Sequence, residues 1–416
     1  MEKYFDTIIV GGGASGLFCG ASLIEYNKRN KSFLILEKSH KTGLKLLVSG
    51  SGQCNFTHSG DIKDFINFYG DKGKKIRGIL FKFNNQMTID YFENRGVKTV
   101  TREDGKVFPA SLKAKDIQSL LLSEIENNGG MIKTSSTVVS IAEDSSALEY
   151  VVSVKPTGQL ENQNTQNYRC KNLVIAAGGK SYPKTGSDGK LLETIAHSFN
   201  DLEIIEQEGA LVPIYVEGYN YNNISGIAIR DAVISKGKIK AKGDILFTHK
   251  NLSGPLILNF SRYLRGGDKF YIDYLPVGFK NGEHLNVDGE KRSILNYLID
   301  ETSLPKAFLE SLLANNKISS RDKASTLKGR EVKAIEKSIR NEEFIVNGKA
   351  SFDKAMVTSG GVSLKEVATG NLQSKKHPGL YFIGEILDVD GDTGGYNIQF
   401  AFSTGYIAAQ HILQLP

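Results

Sequence analysis

Short apolar runs separated by glycines open the chain. Residues 5–10 form a β-rich apolar run that ends directly on glycines, and residues 17–26 place apolar side chains at helical spacing. Residues 33–36 have the composition of a second buried strand. A strand, a helix and a strand within about thirty residues are typical of the βαβ unit of a parallel sheet. The opening therefore predicts an α/β fold.

Further elements are predicted up to about residue 200. The pattern indicates helical structure over residues 78–96, up to Gly96, and an amphipathic helix over residues 116–127, which leads into a strand near Val139. Residues 157–168, rich in Gln and Asn, predict an exposed hairpin tip. Residues 173–177 form another apolar strand that ends on two glycines, and a βαβ sheet would accept it beside the first strand.

The pattern changes in the second half of the chain. Residues 204–275 alternate between apolar and polar positions and contain many turn residues, which predicts an inserted β-rich unit. Residues 290–340 are predicted to be mostly helical. From Phe352 onward the glycine motifs return, so we expect the C-terminal segment to rejoin the first domain.

Composition narrows the class of protein. The chain has 416 residues, of which 40% are hydrophobic and 24% charged, as in an ordinary soluble protein with two or three compact units. Its three cysteines form no CxxC pair, so neither a disulfide framework nor a zinc site is predicted. With no secretory signal and no apolar run of about 20 residues, a cytoplasmic protein without membrane contact is expected.

The formal net charge of +6 is mildly basic. A basic stretch over residues 317–340 has two interpretations, a solvated helical face or a binding patch for an anion such as nucleic acid. The solvated face is the more common case, so nucleic acid is not expected as a partner.

A glycine motif lies between the first strand and the first helix. In Gly11-x-Gly13-x-x-Gly16 the first glycine permits a tight turn, the second lets the backbone approach phosphates, and the third lets the helix pack on the sheet. Glu37 closes the second strand, near the spacing at which a carboxylate accepts hydrogen bonds from an adenosine ribose. The alternative is an ordinary βαβ turn with a surface glutamate.

This motif fits NAD and FAD equally well, and distant segments favour FAD. The strand that ends on Ala177 and Gly178 is expected to bring backbone to the dinucleotide, and the strand at Val139 to line the adenine. Gly384-Glu385 is expected to position a carboxylate near the ribityl chain. The turn that contains Gly394 and Gly395 opens a helix whose backbone N–H groups would face the flavin pyrimidine. The alternative for this tail is a glycine-rich turn before a packing helix.

These motifs resemble those of a known family, the BaiN-like (YhiN-like) bacterial flavoproteins, also described as NAD(P)/FAD-dependent or aminoacetone-oxidase-like oxidoreductases. The resemblance extends from Ile8 to Ala409 and rests on segments such as IIVGGGASGL, GLKLLVSGSGQCNFT, LVIAAGGKSYPKTGSDG, GDILFTHKNLSGP and GLYFIGEILDVDGDTGGYNIQFAFSTGY. The chain departs from the family pattern at Gln53, where arginine is expected, and at Ser51, where glycine is usual. The first departure removes a fixed positive charge near the presumed site.

The resemblance implies a glutathione-reductase-like, Rossmann-like FAD-binding domain in two segments, interrupted by a β-rich and a small helical domain. The implied boundaries are 1–200 and 353–416 for the FAD domain, 201–285 with 341–352 for the β-rich domain, and 286–340 for the helical domain. The residues expected to contact FAD are Gly11, Gly13, Ala14, Ser15, Gly16, Glu37, Lys38, Lys45, Gly50, Asn55, Val139, Ala177, Gly178, Gly384, Glu385, Gly394, Gly395, Asn397 and Ile398.

Three residues are weak catalytic candidates. Cys54 lies in the loop expected to approach the isoalloxazine, although a small packing residue there is favoured over a nucleophile. His249 precedes a turn that starts a helix and is a proton donor in one interpretation and a structural residue in the other. Tyr182, in the glycine-rich loop after residue 179, is equally ambiguous.

The predicted activity is hydride transfer between flavin N5 and a small organic substrate. The resemblance implies either reduction of a conjugated enone or oxidation of a small amine with O2 as acceptor. Because no second GxGxxG motif is present, NAD(P)H is expected to visit the flavin site transiently, if it is used. An RNA-modifying flavoprotein and a non-catalytic flavin sensor remain as alternatives.

Overall fold

The computed structural model describes residues 2–25, 31–158 and 165–415, which form two compact units. The first unit contains residues 1–208 and 357–416, and the second contains residues 209–356. The first unit is therefore built from two separate parts of the chain. The finer division of the insert into a β-rich and a helical domain stays a prediction.

The first unit contains twelve strands and eight α-helices among its described residues. Its strands are β1 (Lys3–Val10), β2 (Phe33–Leu36), β3 (Thr57–His58), β4 (Thr99–Thr101), β5 (Lys106–Pro109), β6 (Met131–Lys133), β7 (Ser136–Asp144), β8 (Glu149–Pro156), β9 (Gln166–Ile175), β10 (Ile204–Ala210, which ends in the second unit), β17 (Val357–Val362) and β18 (Leu380–Phe382). Its helices are α1 (Ala14–Glu25), α2 (Leu44–Val48), α3 (Ile62–Phe65), α4 (Gly73–Lys82), α5 (Asn85–Glu93), α6 (Ala114–Asn127), α7 (Lys190–Ser198) and α12 (Tyr396–Gln414).

A seven-stranded sheet organises the first unit. Its order is β6-β2-β1-β9-β8-β7, and β18 also pairs with β9. Strand β1 is parallel to β2 and β9, and β18 is parallel to β9, whereas β7, β8 and β9 are antiparallel. The carboxyl ends of β1, β2, β9 and β18 therefore meet at one edge, where ligands bind in open α/β sheets.

Helices α1 and α12 pack closely beside this sheet. Phe18 of α1 stacks on Phe402 of α12, with ring centroids 4.7 Å apart. A Cβ atom at Gly405 would lie 2.7 Å from the backbone oxygen of Ser15, so only glycine lets the two backbones approach this closely. The C-terminal helix is thereby fixed against the helix that follows the glycine motif.

The segment 78–96, which is predicted to be helical, is helical with one interruption. The chain forms α4 and α5, with an extended Phe83 between them. Asn84 caps α5, because its side chain accepts a hydrogen bond from the backbone N–H of Met87 at 2.9 Å. The predicted hairpin tip over 157–168 lies partly outside the described residues, although the flanking strands β8 and β9 pair as a hairpin requires.

The second unit is a closed barrel with helices. The barrel order is β11 (Ile214–Val216), β14 (Leu252–Ser253), β13 (Ile239–Phe247), β12 (Ala228–Lys236), β15 (Lys269–Asp273) and β16 (Glu342–Lys349). Its helices are α8 (Pro255–Phe260), α9 (Ile294–Thr302), α10 (Lys306–Asn315) and α11 (Gly329–Arg340). The predicted β-rich and helical segments are confirmed as secondary structure. Across the described parts of both units, no helix is long and apolar enough to cross a membrane.

Candidate FAD site

The glycine loop has the geometry that a phosphate-binding turn requires. Gly11 follows β1 with φ of 111°, and a Cβ atom there would overlap the carbonyl oxygen of Ala176. A Cβ atom at Gly16 would overlap the carbonyl oxygen of Gly11. At Gly13, by contrast, an added Cβ would meet no atom within 4 Å. Gly11 and Gly16 are therefore needed for packing, whereas Gly13 borders open space at the start of α1, which begins at Ala14.

Glu37 is held against this loop by backbone donors. Its Oε2 accepts a hydrogen bond from the N–H of Gly12 at 2.8 Å, and its Oε1 accepts one from the N–H of Ser39 at 2.7 Å. A carboxylate offers about four lone-pair sites, so Glu37 retains capacity to accept hydrogen bonds from ribose hydroxyls.

Two other predicted contacts lie near Glu37 in the fold. Lys38 pairs with Asp188, with 2.5 Å between Nζ and Oδ1, which ties the loop after β9 to the end of β2. Strand β7 begins beside this segment, because the N–H of Ser136 donates to the carbonyl of Glu37 at 2.9 Å. Val139 falls where the register of β7 against β8 shifts, and its side chain is 39% exposed. This side chain is therefore available to a ligand.

The glycines that follow strand β9 lie at the same edge of the sheet. The N–H of Ala176 donates to the carbonyl of Val10, so Ala177 and Gly178 follow directly beside the glycine loop. Gly178 has φ of 71°, and an added Cβ there would lie 3.1 Å from Oγ of Ser187.

The C-terminal Gly-Glu motif touches the first helix. A Cβ atom at Gly384 would lie 2.5 Å from Oγ of Ser15, and Gly384 has φ of 72°. Its N–H donates to Oγ1 of Thr404 on α12 at 3.0 Å. Two motifs about 370 residues apart therefore meet, as a single dinucleotide site requires.

Glu385 lies in a polar cluster with a lysine. The Lys45 ammonium contacts both carboxylate oxygens of Glu385, at 2.9 and 2.7 Å, and also the hydroxyl of Ser181. Glu385 Oε1 further accepts hydrogen bonds from the Ser181 hydroxyl at 2.9 Å and the Thr358 N–H at 2.8 Å. The expected contact of Lys45 with FAD stays a prediction, and in this structure its ammonium is paired with Glu385.

The turn before α12 lies against the loop of residues 49–57. A Cβ atom at Gly395 would overlap the carbonyl oxygen of Thr57, and Gly394 has φ of 128°. The side chain of Asn397 exchanges two hydrogen bonds of 2.8 Å with the backbone of Gly391. Asn397 therefore shapes this turn with its side chain. The contact of Asn397 and Ile398 with the flavin stays a prediction. It would be made by their backbone N–H groups at the start of α12.

The loop of residues 49–57 contains an unsatisfied polar atom. Oδ1 of Asn55 is buried and has no hydrogen-bond partner among the described residues. Gly50, with φ of 53°, lies against the backbone of Asn55, since an added Cβ at Gly50 would be 3.0 Å from the Asn55 backbone nitrogen. A buried acceptor without a donor is costly, so a bound group that donates to Asn55 would remove that cost.

The positive charge missing at Gln53 is present on a neighbouring strand end. Nη2 of Arg102 donates to Oε1 of Gln53 at 2.6 Å, and the Arg102 guanidinium lies 4.1 Å from the ring centroid of Phe108. Arg102 therefore brings a cation to the loop in which Gln53 stands in place of the expected arginine. Arg102 follows β4, and nothing in the local sequence around Gln53 indicates it.

The three catalytic candidates lie in different settings. Cys54 is fully buried, and burial raises the pKa of its thiol to about 12, which disfavours a nucleophilic thiolate. Tyr182 is half-buried and left-handed, with φ of 54°, at the start of a short helical turn. His249 lies on an exposed turn between β13 and β14 of the second unit. A catalytic role for each of them stays a prediction.

Sequence reasoning missed an aromatic and an ionic cluster near the C-terminal turn. The ring of Tyr396 packs against those of Phe68 and His58, with ring centroids 4.3 and 5.3 Å away. Lys72 pairs with the buried Asp388, whose other oxygen accepts from the N–H of residue 360 at 3.2 Å. The partners in each cluster lie far apart in sequence, so no local pattern indicates these contacts.

These features agree with a bound FAD. The open space at Gly13, the two free acceptor positions of Glu37 and the unsatisfied Oδ1 of Asn55 all lie in the first unit. The helix starts of α1 and α12 add positive dipole ends for the pyrophosphate and for a reduced flavin.

Comparison with known proteins gives a consistent result. The family model described as HI0933-like protein Rossmann domain matches residues 5–411. The chain is 31% identical to a ribosomal RNA dihydrouridine synthase of Haemophilus influenzae and 30% identical to that of Escherichia coli, each over 99% of both chains. It is 26% identical to a 3-dehydro-bile acid delta(4,6)-reductase of Clostridium scindens, over 98% of this chain and 99% of the relative.

Solved structures share the fold. A 3-ketosteroid delta1-dehydrogenase of Sterolibacterium denitrificans has a TM-score of 0.52 at 13% identity, covering 99% of each chain. A 3-ketosteroid delta4-(5alpha)-dehydrogenase of Rhodococcus jostii has a TM-score of 0.53 at 12% identity, covering 99% of this chain and 97% of its own. At this identity the likeness concerns the fold alone, and it confirms the predicted Rossmann-like FAD-binding architecture.

The relatives also bear on the other predictions. All three relatives named here carry the names of enzymes, in agreement with the predicted FAD-dependent oxidoreductase. Two of these relatives are named for an activity on ribosomal RNA, so their names do not support the expectation that nucleic acid is not a partner. The family model covers nearly the whole chain and confirms the resemblance seen in its motifs, so the chain belongs to the HI0933-like, BaiN-like Rossmann family.

Proposed function

We propose that this protein is an FAD-dependent reductase of a carbon–carbon double bond conjugated to a carbonyl group. The observation that carries the proposal is the meeting of Gly384 with Ser15, which joins the Gly-Glu motif to the glycine loop in one dinucleotide site. When bound, FAD would supply a hydride from N5 of its reduced form.

The chain's own residues would bind and orient the cofactor. Gly13 and the start of α1 would receive the pyrophosphate, and Glu37 would accept hydrogen bonds from the adenosine ribose. Glu385, already held by Lys45 and the Thr358 N–H, would face the ribityl chain. The backbone N–H groups at the start of α12 would stabilise negative charge on the pyrimidine ring.

The names of the relatives favour reduction over amine oxidation. A uracil base has a C5–C6 double bond conjugated to its C4 carbonyl, and a delta(4,6) 3-dehydro steroid has double bonds conjugated to its ketone. In uracil and at the C4–C5 bond of the steroid, a hydride adds to the β carbon and a proton to the α carbon, so that double bond is reduced while the carbonyl is retained. One flavin site would therefore serve either substrate by the same two-electron step.

We propose a uracil base in ribosomal RNA as the substrate. Two relatives at 31% and 30% identity bear that activity in their names. A second candidate is a free steroid-like enone, which the name of the relative at 26% identity favours. NAD(P)H is proposed as the hydride source, visiting the flavin transiently.

An anaerobic experiment tests the proposal. The FAD-loaded protein is mixed with NADH or NADPH, and the loss of the visible flavin absorption is followed. The reduced protein is then given unmodified ribosomal RNA made by transcription, or a steroid 4-en-3-one. We expect reoxidation of the flavin by the RNA, together with dihydrouridine in its nucleoside digest.

The other outcomes separate the alternatives. Reoxidation by the steroid alone would assign the small enone as substrate. Rapid reoxidation by O2 without reaction of either enone would point to an oxidase and contradict the proposal. A flavin that neither nucleotide reduces and neither enone oxidises would indicate a sensor.

A further inference from the structure

The outer face of helix α11 exposes only basic side chains. Arg330, Lys333 and Lys337 are exposed and lie three and four residues apart, which places them in one stripe about 10 Å long. Ile335 and Ile339 are fully buried in the core of the second unit. The helix therefore has one apolar and one cationic side.

The acidic residues of the same helix do not neutralise this stripe. Glu331 accepts a hydrogen bond from the backbone N–H of Lys328 at 2.7 Å, and Glu336 accepts one from that of Leu285 at 2.7 Å. Both carboxylates are engaged with backbone and are only half-exposed. Lys337 lies near Glu343, whose carboxylate already pairs with Lys269. Arg330 and Lys333 are therefore the uncompensated part of the stripe.

The segment before the helix extends the positive charge, and a single exposed carboxylate, that of Asp322, interrupts it. We call this set the basic face, and its members are Lys317, Arg321, Lys323, Lys328, Arg330 and Lys333, all exposed. Among the described residues, none of these six forms an ion pair with a carboxylate. Other cations of the same unit do, with Lys236 bound to Asp268 at 2.5 Å and Lys242 to Asp231 at 3.0 Å.

The charge of the whole chain is concentrated in the same unit. Residues 209–356 contain 23 Lys and Arg against 17 Asp and Glu, a formal net charge of +6. Residues 1–208 and 357–416 contain 29 of each and are formally neutral. The unit predicted to hold FAD is thus electrically balanced, and the excess positive charge lies on the insert.

We propose that the basic face docks the phosphate backbone of RNA. Unpaired Lys and Arg side chains on one surface release counterions from a polyanion, and such contacts position a nucleic acid without reading its sequence. The inference rests on the proposed function with RNA as substrate and adds the surface that holds it. The basic face would supply affinity, while the flavin site would select the base.

A pair of matched double variants tests the docking surface. R330Q/K333Q removes two charges from the basic face. K238Q/K240Q removes two charges from exposed lysines on the β12–β13 hairpin of the same unit. Binding of the FAD-loaded proteins to protein-free ribosomal RNA of Escherichia coli is measured over a series of NaCl concentrations. Thermal unfolding and anaerobic flavin reduction check that each variant keeps its fold and cofactor.

We expect RNA binding to weaken only in the variant that changes the basic face. R330Q/K333Q should bind the RNA about tenfold more weakly near 0.15 M salt, with the slope of log affinity against log salt smaller by about 1.5. K238Q/K240Q should bind as the unchanged protein does, and flavin reduction should be the same in all three.

Three results would overturn the inference. They are equal losses in both double variants, no loss in R330Q/K333Q, and no binding of RNA by the unchanged protein. Binding of phosphatidylglycerol vesicles in place of RNA, lost in R330Q/K333Q, would assign the surface to a membrane instead. If binding depends on the basic face but RNA never reoxidises the flavin, the docking surface stands and the proposed reaction fails.

Discussion

At the scale of single residues, two glycines of one motif differ in the space around them. An added Cβ at Gly16 would overlap the carbonyl oxygen of Gly11, whereas at Gly13 it would meet nothing within 4 Å. Gly16→Ala should therefore destabilise the fold by about 2 kcal/mol or more. Gly13→Ala should leave the FAD-free fold unchanged but lower FAD affinity by roughly tenfold or more, because its methyl group would occupy the space of the pyrophosphate.

Thermal unfolding of the FAD-free variants and titration with FAD measure the two effects separately. Gly78→Ala is a control, since this exposed glycine also has open space around an added Cβ. If Gly13→Ala bound FAD as tightly as the unchanged protein, the pyrophosphate would not lie at this loop.

Arg102 offers a second prediction for a single residue. Its guanidinium reaches Gln53 at 2.6 Å and so brings a cation to the position where the family pattern expects arginine. Arg102→Gln should raise the NAD(P)H concentration needed for half-maximal flavin reduction by about threefold, as expected for an exposed charge. Adding Gln53→Arg to this variant should restore the original value. Failure of the second change to restore it would show that Arg102 acts by another route.

At the scale of elements, the sequence predicted strands and helices where local pattern decides them. Strand β1, helix α1 and strand β2 follow from apolar runs and glycines that are adjacent in sequence. The break between α4 and α5 was missed, because it depends on Asn84 acting as a cap rather than on a change in hydrophobic period. Similarly, the barrel order of the second unit joins β11 to β14 and β16, which no local pattern encodes.

Strand β16 begins with a half-buried glutamate whose carboxyl group couples stability to pH. Glu342 accepts hydrogen bonds from the hydroxyls of Tyr221 at 2.5 Å and Tyr274 at 2.6 Å, and burial raises its pKa to about 7. The folded state therefore keeps the proton to higher pH than the unfolded state does. This contribution to stability is complete below about pH 4.5 and is lost as pH rises through about 7.

Glu342→Gln tests this coupling. The unchanged protein should lose up to about 3 kcal/mol relative to the variant between pH 5 and pH 8, as measured by thermal unfolding. Glu343→Gln is the matched control, because Glu343 is exposed and its hydrogen bonds from Lys269 and Tyr271 lower its pKa. Glu343→Gln should leave the loss of stability between pH 5 and pH 8 the same as in the unchanged protein. A parallel pH dependence in all three proteins would contradict the role of Glu342.

At the scale of the whole molecule, the sequence predicts those residues of the cofactor site that belong to motifs. It does not predict residues that join the site through contacts between distant parts of the chain. The glycine loop and the Gly384-Glu385 pair are recognisable by sequence, since each needs particular residue types at fixed spacing. Ser181 and Thr358 could not be assigned, because their link to Glu385 exists only after distant segments of the chain have met. A serine or threonine fits many local structures, so its type gives no signal.

The division into two units yields a prediction for cofactor removal. Every predicted FAD contact lies in residues 1–208 or 357–416, and none lies in residues 209–356. A ligand stabilises only the state that binds it, by about 2.7 kcal/mol when its concentration is a hundredfold above its dissociation constant. Calorimetry of the whole chain should therefore show two transitions, and removal of FAD should lower only one. Gly13→Ala should mimic that removal, while Glu342→Gln should shift the other transition. Equal shifts of both transitions on FAD removal would mean that the cofactor also binds the insert or that the two units unfold together.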